Sequence, residues 1–275
     1  MLKMYSIRQL IKYFAVSKIK RYVYRIFIYL PLPFSFYQTL EFLSSTALGK
    51  GWGCETIQDE VKLCLSLLGK TPRILIDIGA HRGEYTNCVI TKFPKLKAYL
   101  FEPSKYNYEL LKKKYEGQKN IIIENFALSN LAKKSHLYSN EPGSPIASLA
   151  KLNYDHFGIN MEKGEQIFQK RFDEYWKDIN IKIDYMKIDV EGNELDVLLG
   201  IGKFINNISL IQFEFGPANL QTKTCFLDFW KFFDDKDFSI YRITPRGAQF
   251  IKKYQQMDEY FRVTNFIAVN KKTFD

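Results

Sequence analysis

Long apolar runs are missing from this 275-residue chain. The unbroken stretch 26–34 falls far short of the ~20 residues that span a bilayer. A signal peptide does not fit either, because Arg25 interrupts the apolar stretch and no small-residue cleavage site follows. Histidine is scarce: His81, His136 and His156 form no His-x-x-x-His pair, so no dedicated zinc site is expected. Four cysteines (Cys54, Cys64, Cys88, Cys225) stand without Cys-x-x-Cys spacing, as reduced thiols of a cytoplasmic protein would. Acid is absent from the first 40 residues, whereas residues 1–34 hold seven bases. The net charge of +10 therefore lies mostly in that arm, leaving 33 basic against 30 acidic residues elsewhere. A body so nearly balanced has no extended basic face, and nucleic acid is not an expected partner.

What is present is apolar and aromatic: 46% hydrophobic and 16% aromatic residues, enough for a full core. Residues 1–34 read as amphipathic helix, with apolar positions 7, 10, 11 and 14, then 19, 22, 23, 26 and 30. The second stripe is rotated by roughly 100° from the first, which predicts a break near Ser17. Pro31 and Pro33 end the second piece. Such an arm can lie on an anionic membrane surface, or pack as a cap on the domain or on a second subunit. We expect residues 1–50 to be a basic helical extension and 51–275 the main domain.

That domain alternates. A helix over 56–68 precedes strands at 74–77, 98–101, 120–125, 183–190 and 209–215, with helices at 84–93, 105–115 and 194–199 between them. This pattern predicts a parallel sheet with helices on both faces. Strands at 238–243 and 263–269 would close it as an antiparallel pair, after an aromatic helix over 222–233. Residues 130–165 interrupt the alternation with Gly, Pro, Ser and Asn, as a lid or substrate wall would.

Residues 73–85 organise the rest. The short strand ends at Asp77, and Gly79 and Gly83 bracket a turn into the next helix, the way a doubly wound domain opens a nucleotide cleft. A pyrophosphate binder wants G-x-G-x-x-G; here the spacing is Asp-x-Gly-x-x-x-Gly. An anion would not welcome Asp77, whereas a cationic amino-acid moiety would. That favours S-adenosylmethionine over a dinucleotide. Glu102 ends the second strand about 25 residues on, near the offset at which a carboxylate meets ribose hydroxyls. Asp77, Glu102, Asp189, Glu191 and Glu214 all fall at strand ends, where ligands of such sheets bind. Strand-end acids also cap helices, but five together suit a general base or a divalent ion. His81 either touches the cofactor or ties down the loop.

Four motifs in order carry a family resemblance: Asp77-Ile-Gly-Ala-His-Arg-Gly-Glu-Tyr, Phe101-Glu-Pro, Asn125-Phe-Ala-Leu-Ser and Lys187-Ile-Asp-Val-Glu-Gly-Asn-Glu-Leu. Over about 70–270 the chain resembles the FkbM family of methyltransferases, which does not extend over residues 1–50. The resemblance implies a class I methyltransferase α/β fold, Rossmann-like and doubly wound, with seven strands in the order 3-2-1-4-5-7-6. It implies S-adenosylmethionine-dependent O-methylation of a sugar hydroxyl in a glycan or glycolipid, or of a natural product. By motif, Asp77, Gly79, Ala80, His81 and Gly83 would form the cofactor loop, Glu102 the ribose acid and Ala127 the adenine neighbour. Asp189 and Glu191 would face the transferred methyl; were the reaction metal-assisted, Asp189 and Glu214 would be the ligands. His81 stands where the family usually has Asn, and Phe172 where it usually has Leu. The competing readings are a Rossmann NAD(P)-dependent oxidoreductase and an inactive membrane-associated scaffold that keeps the fold.

Overall fold

The computed structural model describes residues 28–273 together with Lys18, residues 20–23, Arg25 and Ile26. The helix expected over 7–14 and the break near Ser17 lie outside the described residues. The chain divides into two compact units, Met1–Ser44 and Ser45–Asp275. In the first, the described residues of 18–29 are helical, and the chain leaves the helix before Pro31, as expected. A second helix, α1 (Phe34–Ala47), follows within the helical extension expected over 1–50.

The larger unit is a doubly wound α/β domain. Its strands β1 (Ile74–Ile78), β2 (Lys97–Phe101), β3 (Ile121–Glu124), β7 (Ile183–Ile188) and β8 (Ile208–Phe215) run parallel to their neighbours in this group. β11 (Thr264–Asn270) enters antiparallel between β8 and β9 (Phe238–Thr244). A short edge strand, β10 (Gly247–Phe250), pairs with β9. The sheet order is β10-β9-β11-β8-β7-β1-β2-β3. The expected seven-strand order therefore holds for the first seven strands from the β3 edge, and β10 adds an eighth. Residues 127–170 build a separate small sheet, β4-β6-β5, from β4 (Ala127–Leu128), β5 (Lys133–Ser139) and β6 (Glu162–Lys170).

Side chains alternate across the sheet and sort into two cores. Ile76, Ile78, Met186, Ile188, Ile211 and Phe213 face one cluster. Leu75, Tyr185, Leu210, Ile267 and Val269 face the other. The first core is covered by α5 (Phe172–Trp176), α6 (Glu194–Ile201) and α8 (Phe226–Asp234). The second is covered by α2 (Ile57–Leu68), α3 (Glu84–Lys92) and α4 (Lys105–Lys114). Near-continuous apolar strands are what a sheet buried on both faces requires.

Local signals explain the ends of these helices. Thr56 caps α2 by accepting the Asp59 N–H, and Gly69 ends it in the left-handed region. The aromatic helix expected over 222–233 is α8, which begins four residues later at Phe226, and a separate short helix, α7 (Pro217–Thr222), precedes it. Lys223 takes a left-handed φ of 60°, and Glu259 accepts the first two N–H groups of α8, from Phe226 and Leu227. A carboxylate reaching in from 33 residues away thus starts α8, and no local spacing encodes that. Phe172 is fully buried and stacks on Trp176 at 5.2 Å, where a leucine would fill less of the gap.

Phe213 is the hub of the aromatic core, stacked on Phe229, Phe233 and Phe266 at 5.1, 5.2 and 5.4 Å. It is fully buried, so Phe213→Ala would lose both transfer energy and packing. We expect a loss of about 3–5 kcal/mol in unfolding free energy by denaturant titration. A loss below about 1 kcal/mol would mean that the stack is not a stabilising centre.

Candidate active site

The strand order reverses between β1 and β7, the place where open α/β sheets hold ligands. Backbone hydrogen bonds draw three strand ends together there. The Gly79 and Ala80 N–H groups donate to the Phe101 carbonyl (3.0 and 3.2 Å), and the Asp189 N–H donates to that of Ile78 (3.0 Å). Gly79 has φ +80°, and a Cβ there would lie 1.8 Å from the Asp189 carbonyl oxygen. No side chain fits, so glycine is required. Gly83, at φ +71°, caps α3 and lies against Tyr115 and Leu111.

A cleft of about 580 Å³ opens above this floor. Gly79, His81, Glu102, Ala127, Asp189 and Glu191 line it, which brings together six of the nine expected site residues. Asp77, Ala80 and Gly83, expected in the same cofactor loop, lie outside its lining. Asp77 is fully buried; its Oδ2 accepts from Thr86 Oγ1 (2.6 Å), and burial raises its carboxyl above the usual range.

Glu102 is fixed by the turn. Its Oε2 accepts the His81 N–H (2.8 Å) and its Oε1 the Ser104 N–H (2.9 Å). Burial pushes it up to about 7, although those two hydrogen bonds oppose the shift. The His81 ring reaches the Gly143 carbonyl through Nε2 at 3.0 Å, and Nδ1 lies 3.8 Å from Glu84. Its side chain therefore ties the glycine turn to the 140–147 wall while one face lines the cleft. Ser144, Pro145, Ala147 and Leu149 supply the rest of that wall, the role expected for the interruption in the alternation.

Opposite the turn, Asp189, Glu191 and Glu214 each offer an oxygen within 4.8 Å of the others. Asp189 Oδ2 accepts from Lys187 Nζ (2.9 Å). Burial works against the Lys187 ammonium, but the charges of Asp189 and Asp77 outweigh it and hold its pKa above the usual lysine range. Glu191 sits at φ 53°, and burial together with the Asp189 charge pushes it up to about 8. Burial and the same two neighbouring acids raise Glu214 well above the carboxylate range. Tyr154, facing Glu191 and Glu214, is pushed up to about 12, by burial first. Glu194 belongs to the turn and not to the cleft: it accepts the Val190 and Gly192 N–H groups (3.2 and 3.0 Å) and the Asn219 amide (3.0 Å).

Two polar residues escaped the sequence reading. Asn107 on α4 is 1% exposed and lines the cleft, yet its Oδ1 has no hydrogen-bond partner. Nothing in a helix pattern of alternating Lys and Tyr marks it. Glu60 on α2 lies under the site, where it accepts from Gln212 Nε2 (3.0 Å) and Asn265 Nδ2 (2.6 Å), and burial pushes it up to about 7. Its signal was available: an acid in line with Ile57 and Cys64 on the apolar face of α2.

The family model of the FkbM methyltransferase domain matches residues 77–240, more than half of the chain. The chain belongs to the FkbM methyltransferase family. The match runs from Asp77 into β9 and takes in the glycine turn, Glu102, the small sheet and the acids at the ends of β7 and β8. Among solved structures, the domain is similar to an FkbM methyltransferase from Methylobacillus flagellatus KT at 15% identity and TM-score 0.46. That alignment covers 72% of this chain and 44% of the other, so the chain spans less than half of the bacterial protein. The plantazolicin methyltransferase BamL, solved with a triazolic desmethyl analogue and S-adenosylhomocysteine, aligns at 10% identity and TM-score 0.46, covering 78% and 85%. A SAM-dependent O-methyltransferase from Thermotoga maritima aligns at 11% and 0.38, covering 78% and 64%. No curated protein matches the chain.

The raised carboxyls make stability depend on pH. Glu60 and Glu102 titrate near 7 and Glu191 near 8 in the folded FkbM domain, all above their unfolded values. Each binds its proton more tightly when folded, so its contribution is complete below the ordinary carboxyl value of 4.5 and is lost progressively as pH rises from there through about 7 to 8. Denaturant titrations should show unfolding free energy falling across that window. A flat or rising profile there would contradict the burial of these acids.

Proposed function

We propose that the protein is an S-adenosylmethionine-dependent O-methyltransferase acting on a hydroxyl of a sugar, in a glycan or glycolipid, or of a natural product. The observation that carries the O-methylation is Glu191, a cleft carboxyl whose pKa of about 8 suits it to take a hydroxyl proton near neutral pH. The residues on the donor side also fit. Asn107 brings a buried, unpartnered Oδ1 to the cleft, and a side-chain amide can pair with the edge of adenine through one donor and one acceptor. Glu102, held by two backbone N–H groups, keeps lone pairs for ribose hydroxyls. When bound, S-adenosylmethionine supplies an electrophilic sulfonium methyl.

The chain's own part is then small: to orient one oxygen and remove one proton. Asp189, paired with Lys187, stays fixed and orients the acceptor hydroxyl, while Glu191 accepts its proton. The half-buried 140–149 wall limits water. A second arrangement of the same residues is a divalent ion on Asp189, Glu191 and Glu214. Their oxygen-only donor set suits magnesium or calcium better than zinc, and an ion would displace the protons from Glu191 and Glu214.

Calorimetry should show S-adenosylhomocysteine binding to the full chain; no binding would overturn the reading. Glu191→Gln should lower methyl transfer from labelled donor to a glycolipid extract by about 10²–10⁴-fold while leaving that affinity nearly unchanged. Wild-type transfer should rise with pH to a plateau above about 8 and persist in excess chelator. Loss of transfer on chelation would assign the three acids to an ion, and full transfer by the variant would remove Glu191 from the chemistry.

A further inference from the structure

Part of the first unit carries a surface that methyl transfer does not use. Lys18, Arg21 and Arg25 recur at i, i+3 and i+7, so at about 100° per residue they form one line along the helix. Tyr22, Ile26 and Tyr29 form the adjoining line, and all six residues are exposed, Tyr29 at 81%. Beyond Pro31 and Pro33 the pattern continues on α1. Phe34 is 77% exposed, and Phe36, Leu40 and Leu43 repeat at i, i+4 and i+7, all exposed. The turn between the helices is tied by the Phe36 N–H on the Pro33 carbonyl and the Tyr37 hydroxyl on that of Leu30, both 2.9 Å. Between residues 18 and 47 the sole acid is Glu41.

We infer that this surface docks on an anionic membrane, with the basic line at the phosphate headgroups and the aromatic line in the interfacial zone. A soluble unit rarely leaves so many large apolar side chains in water without a partner. Tyrosine and phenylalanine beside lysine and arginine are the composition of a helix lying in the interface. No helix of the described residues is long and apolar enough to cross a membrane, so the attachment is peripheral. A second copy of the chain would be the other occupant of an apolar stripe. Outside residues 1–34, however, the chain has 33 basic and 30 acidic residues, so a second copy carries no net negative charge to draw Lys18, Arg21 and Arg25. An anionic bilayer satisfies both lines at once.

The test uses the full chain and vesicles of phosphatidylcholine with or without phosphatidylglycerol. We expect co-sedimentation only where phosphatidylglycerol is present, weakening as salt shortens the reach of the charges. The pair Arg21→Glu with Arg25→Glu should lower partitioning at least about tenfold. Tyr29→Asp with Phe34→Asp should lower it as well, by removing apolar contact. All four positions are exposed, and both variants should keep the wild-type melting temperature. Sedimentation that ignores phosphatidylglycerol, or that survives both pairs of substitutions, would overturn the inference. So would a dimer in analytical ultracentrifugation that the same substitutions dissolve, in the absence of vesicle binding; that result would assign the surface to a second copy.

Discussion

The contact on which the domain depends is the one between residue 79 and the carbonyl of Asp189. It is a contact of backbone with backbone, at the point where β1 and β7 stop pairing as strands and begin to diverge. Because nothing larger than hydrogen fits between them, the glycine turn and the acid-bearing turn are held at a fixed separation. The Asp189 N–H on the Ile78 carbonyl and the Gly79 N–H on the Phe101 carbonyl then bring β2 into the same frame. The cleft's polar groups inherit their positions from this junction and not from their own contacts. That is how a site should be built if its groups must hold their geometry with little reorganisation.

Electrostatics adds a second constraint. Lys187 is the positive charge beneath an acidic neighbourhood that includes Asp77, Asp189 and Glu60. It lies 5.0 Å from the centre of the Tyr85 ring, whose face favours the cation. Only Asp189 receives its proton-donating contact; Glu191 and Glu214 compensate their shared burial by holding protons. The arrangement separates acids that sit side by side into one paired with a lysine and neighbours whose carboxyls burial pushes up, Glu191 to about 8. Pairs pushed apart in this way are a mark of acid–base chemistry.

Much of the domain was legible because its signals are local. The alternation of apolar strands, the Asp-x-Gly-x-x-x-Gly spacing, and the Lys187-Ile-Asp-Val-Glu motif each lie within one element and its adjoining turn. The residues harder to read are those whose role is set across long separations. Glu259 starts α8, Gln212 and Asn265 hold Glu60, and Asn107 becomes notable only because the cleft leaves its amide alone. α1 lies within the helical extension expected over 1–50, but its bounds are not marked by the sequence. Its apolar side chains are exposed, so its pattern does not read as a face turned toward a core. Asp77, which the motif places in the cofactor loop, is buried beneath the turn with Thr86.

The position of β11 has a consequence for the order in which the chain is made. Residues 264–270 are the last strand in sequence, yet they fill the gap between β8 and β9. A ribosome releases β8 and β9 well before the strand that separates them. Until β11 emerges, the apolar edge of β8 has no neighbour on that side, although its other edge is already paired with β7. β9 is adjacent to it in time but not in the finished sheet. An open edge of this kind invites pairing with the wrong strand or the wrong chain. The nascent protein therefore passes through an interval in which Phe213, Phe229 and Phe233 are synthesised but Phe266, the other ring stacked on Phe213, is not.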